Sequence, residues 1–214
     1  MNRPLKYLLA LLLAVASATA SAGWSLGSDL TDFAWTDSDG RPLRLTALHA
    51  PVVVMTMAYT ECRKVCGTTT LVLGDIQRRL DAMKVDAEFV VVSYDPGNDG
   101  PAEWRDYRAR RHLDRGNWHF LTGDTVTTRK IARRLDLDFW TYHDHIVHDF
   151  RIVLFDAQWR AIGEVDSRKP GQRCENRIDA AQAAFLAQVI KLEPIKYAAA
   201  WTKKSFRDGL TATA

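Results

Sequence analysis

Two short stretches of this chain are apolar at almost every position. Pro51-Val52-Val53-Val54-Met55-Thr56-Met57 and Phe89-Val90-Val91-Val92-Ser93-Tyr94 are rich in β-branched residues and too short for ordinary helices. Both therefore predict strands buried on both faces. Between them the period changes, with Val65, Thr69, Val72, Leu73, Ile76, Leu80 and Met83 recurring at gaps of three and four. That stripe predicts a helix over about Val65–Met83. A strand, a helix and a second strand, both strands apolar throughout, form the parallel unit of a layered α/β domain.

The remaining punctuation extends the same scheme. Asp95-Pro96-Gly97 closes the second strand and Ala102–Leu113 predicts the next helix. Trp118–Leu121 reads as a third strand, and Thr125–Leu135 as a helix capped by Asp124 or Thr125. Upstream, Thr31–Trp35 and Leu43–Leu45 flank Asp37-Ser38-Asp39-Gly40 and predict an N-terminal hairpin. From His148 the alternation places Phe150, Ile152 and Leu154 on one face and Arg151 on the other. A turn at Asp156-Ala157-Gln158 then leads to Ala161–Val165, and a final helix is expected over Arg177–Leu192. Residues 198–214 carry no pattern and are expected to be a mobile tail. The predicted fold class is α/β, a mixed central sheet flanked by helices.

The first residues bear on location. Arg3 and Lys6 precede an apolar run from Tyr7 to Ala16 and small residues ending Ala20-Ser21-Ala22, the layout of a secretory signal peptide over residues 1–22. The run is shorter than the roughly 20 residues of a membrane span, so cleavage is expected, with an uncleaved anchor as the alternative. Cleavage would leave a single soluble domain over residues 23–197, in the periplasm or an equivalent extracytoplasmic space. It would also remove two of the three net positive charges. A near-neutral exported chain gives no reason to expect a nucleic-acid partner. The arginines at 105, 108, 110, 111 and 115, and the Arg129-Lys130 and Arg133-Arg134 pairs, are interrupted by acidic residues and read as solvated helix faces. Membrane contact is expected only through a partner or a retained anchor.

Of three cysteines, Cys62 and Cys66 are close neighbours and Cys174 stands alone in a loop-like stretch, where it reads as a spare thiol. A bridge across three residues barely restricts the unfolded chain, so the pair is better suited to chemistry than to stapling. Cys62 is expected just before the first helix and Cys66 about one turn along it. A helix N-terminus favours thiolates, for metal ligation or thiol exchange alike. Two thiolates and a neutral imidazole suit a soft, small ion such as Cu(I). Among six histidines, His49, His112 and His119 fall in or beside loops and helices as ordinary polar groups, and His143 and His145 in a solvated loop. His148 shares strand parity with Phe150, Ile152 and Leu154 and should point inward.

The segment Tyr59-Thr60-Glu61-Cys62-Arg63-Lys64-Val65-Cys66-Gly67-Thr68-Thr69 is followed by Ser93-Tyr94-Asp95-Pro96, Leu121-Thr122-Gly123, and His148 ahead of Ile152–Asp156. In order and spacing, over about residues 28–192, it resembles the SCO/SenC family of thioredoxin-like copper proteins. The resemblance implies a copper chaperone, holding Cu(I) or Cu(II) on Cys62, Cys66 and His148, that helps to metallate the binuclear copper centre of cytochrome c oxidase. It also implies a thiol reductant as a partner, and Asp95 as a group that tunes the site or meets the client. Asp95 capping a turn before Pro96 is the equally weighted alternative. Where the family commonly has prolines after the cysteines, this chain has Arg63 and Gly67, and where the family is usually tethered, this chain is expected to be released.

Two chemistries remain open on these residues. A metal carrier needs His148. A thiol:disulfide oxidoreductase, in which Cys62, nearer the loop and expected to be the more exposed, attacks a partner disulfide and Cys66 resolves the mixed intermediate, does not. A peroxide-reducing enzyme is the weakest reading, because no separate peroxidatic motif is present.

Overall fold

The computed structural model describes residues 24–62, 66–143 and 145–166, with only the backbone of 66–68. The signal segment 1–22, Arg63, Lys64, Val65, Cys174, the helix expected over 177–192 and the tail lie outside the described residues.

A seven-stranded mixed sheet forms the centre. Its strands are β1 (Trp35–Asp37), β2 (Pro42–Leu43), β3 (Val52–Ala58), β4 (Ala87–Ser93), β5 (Trp118–Thr122), β8 (Arg151–Asp156) and β9 (Ala161–Asp166). They lie in the order β2-β1-β5-β4-β3-β8-β9. The two apolar stretches become the middle of the sheet, β3 parallel to β4 and β4 parallel to β5. Every residue of β3 is buried, as expected for a strand covered on both faces. Antiparallel β1 and β8 flank the parallel core, and β8 turns back into β9.

Helices cover the sheet. α1 (Ser28–Thr31) is a single turn; α2 (Cys66–Ala82) follows β3, α3 (Pro101–Arg111) follows β4 and α4 (Thr125–Arg134) follows β5. The predicted stripe on α2 is the buried one, with Thr69, Val72, Leu73, Ile76 and Leu80 at 3% exposure or less. On α3, Trp104 and Tyr107 are buried against Phe120 of β5, with ring centroids 5.2 and 5.9 Å away. Asp124 caps α4 by accepting from the Thr127 amide. No helix among the described residues is long and apolar enough to cross a membrane.

Three expectations are corrected. The N-terminal hairpin exists, but its strands begin at Trp35 and Pro42. Thr31 belongs to α1 and Leu45 to a 3-10 turn. The Trp35 indole explains the late start: it donates to the Leu30 carbonyl at 3.1 Å and is sealed by Gly123, where a Cβ would come within 2.8 Å of the ring. The turn itself follows its residues, since Asp37 accepts from the Asp39 and Arg41 amides and Gly40 adopts a φ of +79°.

The second correction concerns His148, which does not begin β8. It ends β7 (His145–His148), which among the described residues pairs only with β6 (Phe139–Tyr142) as a separate antiparallel ribbon. The third follows from it. Arg151, Val153 and Phe155 are as buried as Ile152 and Leu154, so β8 has no solvent face from which parity could be read.

Candidate metal centre

The register of the central strands places two loops side by side. Ala58 pairs with Ser93 at the carboxyl ends of β3 and β4, and the Tyr94 amide donates to the Ala58 carbonyl at 2.9 Å. Ligand sites of open α/β sheets gather at such strand ends. One loop carries Tyr59, Thr60 and Cys62 and the other carries Tyr94, Asp95 and Asp99.

The first loop folds back on itself where the Cys62 amide donates to the Tyr59 carbonyl at 3.3 Å, and this turn buries Cys62 to 5% exposure, where an exposed thiol was expected. The described part of α2 begins at Cys66. Sequence reasoning placed Cys66 one turn inside this helix. The Cys66 side chain is outside the described atoms, and among the described residues no group of three or more His, Cys, Asp or Glu is placed to hold a metal ion.

His148 comes to these loops from the ribbon. Its ring stacks on Tyr94 at 4.5 Å between centroids and meets Tyr59 edge-on at 5.9 Å. Its inward orientation thus comes from aromatic packing rather than from the parity of β8. The ring nitrogens are in unequal positions. Nδ1 lies 2.8 Å from the Asp149 carbonyl, which can only accept, so Nδ1 carries the hydrogen. In the neutral ring this leaves Nε2 with its lone pair, and Nε2 is buried with no hydrogen-bond partner among the described residues. Fixing one nitrogen through a backbone carbonyl while the other is kept for an electrophile is the usual preparation of a ligating imidazole. A buried imidazole nitrogen prepared in this way suits a soft cation.

His49, His112, His143 and His145 are exposed, as polar groups should be, but two positions differ from expectation: His145 lies in β7 and not in a loop, and His119 lies in β5, where it pairs with Glu88 at 2.8 Å. Asp95 opens a turn. Its carbonyl accepts from the Asn98 and Asp99 amides and its carboxylate from the Asn98 side chain at 2.9 Å, the turn-capping alternative raised from the sequence.

Sequence reasoning missed Asp99. It is 1% exposed, and its Oδ1 accepts from the Thr60 amide at 3.0 Å and the Thr60 hydroxyl at 2.6 Å, while Oδ2 accepts from the Ser93 hydroxyl at 2.5 Å. Burial raises its pKa above the ordinary carboxylate range against the pull of those donors, with a small addition from the like charge of Asp95. In sequence it looks like one more polar residue in a Pro-Gly turn. Its only signal is its place four residues after Asp95.

A family profile described as SCO1/SenC matches residues 27–183. A curated relative, the SCO1 protein homolog of Bacillus subtilis, is 31% identical over 98 residues, 46% of this chain and 51% of the relative. The chain thus spans about half the length of that relative. Among solved structures, copper-bound ScoI of Arabidopsis thaliana superposes with a TM-score of 0.58 at 15% identity, covering 79% of this chain and 98% of the other. BsSco, described with a disulfide switch and as a member of the Sco family of cytochrome c oxidase assembly proteins, gives 0.59 at 21% identity, covering 78% and 92%. The fold is the thioredoxin-like one of these proteins.

Proposed function

Because the chain belongs to the SCO1/SenC family, we propose that it is an exported copper chaperone that carries one copper ion on Cys62, Cys66 and His148. The ion, Cu(I) or Cu(II), is cargo, passed to a cuproenzyme. The binuclear copper centre of cytochrome c oxidase is the first client to test, since BsSco is described within a family of that enzyme's assembly proteins. The observation that carries the reading is the buried Nε2 of His148, which has no hydrogen-bond partner among the described residues while Nδ1 is held by the Asp149 carbonyl. Asp95, half-buried at the rim, is the group available to a client. Export rests on the signal-like residues 1–22.

The residues divide the work simply. Cys62 and Cys66 each give up a thiol proton when the ion arrives, and His148 supplies the lone pair of Nε2. A client takes the ion by replacing these donors one at a time. A thiol reductant is needed because a disulfide between the cysteines has no thiolate to offer.

A second reading has its own support in the disulfide switch described for BsSco. In a thiol:disulfide oxidoreductase the Cys62 thiolate would attack a partner disulfide, expelling one partner sulfur as thiolate. Cys66 would then attack the Cys62 sulfur and expel the partner's second sulfur as thiolate, leaving the partner reduced and Cys62 and Cys66 joined as a disulfide. One experiment separates the two readings. The reduced chain is titrated anaerobically with Cu(I) against a competing chelator, beside His148→Ala and the Cys62→Ala/Cys66→Ala double variant. One-to-one binding that collapses in both variants supports the chaperone. Weak binding indifferent to His148 overturns it in favour of thiol exchange.

A further inference from the structure

The carboxylate of Asp99 joins the two loops of the site. Oδ1 holds Thr60 by both its amide and its hydroxyl, two residues before Cys62. Oδ2 holds the hydroxyl of Ser93, which in turn accepts from the Asp95 amide at 2.8 Å. Between Ser93 and Asp95 stands Tyr94, the ring on which His148 stacks. The anchor is itself secured from behind, because the Thr122 hydroxyl donates to the Asp99 carbonyl and accepts from the Trp104 indole.

We propose that Asp99 is a positioning residue for Cys62: by tying the Tyr59–Cys62 turn to the carboxyl end of β4, it fixes where the Cys62 sulfur stands relative to the imidazole of His148. Deleting the carboxylate leaves Thr60 with two buried donors and releases the turn from β4, while the sheet beneath retains its own ladder. Among the described residues, the groups that bear on this carboxylate are hydroxyls, an amide and another acid. An acid buried among such donors is a poor choice for stability alone, since an apolar residue would occupy the position at lower cost. This inference deepens the proposed function by taking Cys62 as the working sulfur, and it applies equally to metal transfer and to thiol exchange.

The test reads the thiol and not the metal, so it stands whether or not copper binding is found. In the full chain carrying Cys66→Ser and Cys174→Ser, the alkylation rate of reduced Cys62 is measured for the parent, Asp99→Ala, Asp99→Asn and Thr60→Val, with Tm recorded for each. Gln77→Ala, at the far end of the sheet, supplies a destabilised control. Losing a hydrogen bond to a charged group should raise the opened population of the turn, and with it the alkylation rate of buried Cys62, about tenfold in Asp99→Ala and Thr60→Val. Asp99→Asn retains an acceptor for Thr60 and should return the rate to within about threefold of the parent. Parent rates in Asp99→Ala and Thr60→Val, or an equal rise in Gln77→Ala, overturn the proposal. Should Asp99→Ala fail to fold, Thr60→Val, which removes a single hydroxyl, decides it.

Discussion

At the amino ends of β4 and β5, polar side chains close on one another. Gln77 of α2 accepts from Asn117 and from the Trp118 indole, both at 2.9 Å, and donates to Asp81. Asn117 also reaches the Ala87 carbonyl, Arg115 grips Asp81 with two nitrogens, and His119 pairs with Glu88. At the carboxyl ends of the same strands the materials are similar but the arrangement differs. Among the described residues, His148 keeps a buried nitrogen without a partner, and Asp99 holds a buried carboxylate on an amide and two hydroxyls beside one like charge. A nitrogen acceptor buried without a partner beside two loops at strand ends marks that end as the place for a ligand.

The strongest way to break this contrast is at His148. His148→Ala should weaken Cu(I) binding by more than about 100-fold, beyond what loss of a merely supporting group costs. Its folding free energy should stay within about 1 kcal/mol of the parent, because an unpaired buried nitrogen leaves with it. A large loss of stability, read by urea denaturation, would make His148 a structural residue like those at the other end.

Gln77→Ala should do the reverse. It strands the Asn117 and Trp118 donors and should cost about 1–3 kcal/mol in denaturant titrations while leaving copper affinity unchanged. A drop in affinity would show that the two ends are coupled.

The next effect is one of pH. Burial raises the Asp99 pKa above its unfolded value, so the fold favours the protonated form. The stability it contributes is complete below the unfolded value and is lost as pH rises through the folded one. Asp99→Asn does not titrate, so its stability relative to the parent should improve steadily across that window. A flat difference would mean that the donors around Asp99 fully offset its burial.

The smallest effect belongs to the exposed end. The Arg115 hydrogen bond lowers the Asp81 pKa, a contribution present above the unfolded value and lost as pH falls. Both groups are well exposed, so Arg115→Ala should cost less than about 1 kcal/mol, and less still in high salt.

Much of this molecule could be read from its residues. The continuous apolar runs located β3 and β4, and the three-four spacing of Thr69, Val72, Leu73, Ile76 and Leu80 located the buried face of α2. In both cases one periodicity reports one environment. The ribbon β6–β7 escaped because three of its exposed positions, Trp140, Tyr142 and Val147, are apolar, so its alternation does not separate core from solvent. His148 was expected to face inward from a parity that β8 does not possess, and packs inward on Tyr94 instead. Asp99 escaped for a more general reason. Local pattern reports what a residue prefers, and a carboxylate buried against its preference by Thr60 and Ser93 becomes visible only when distant segments are brought together.

The separateness of the ribbon has a mechanical consequence. The hydrogen-bond ladder that carries the cysteine loop ends at its own sheet, and His148 hangs from a different one. The imidazole is therefore placed by its ring contacts with Tyr94 and Tyr59, by Phe139 against Tyr94, and by the clasp between Asp138 and Asp149. Loosening those contacts would displace His148 without breaking a rung of the central ladder.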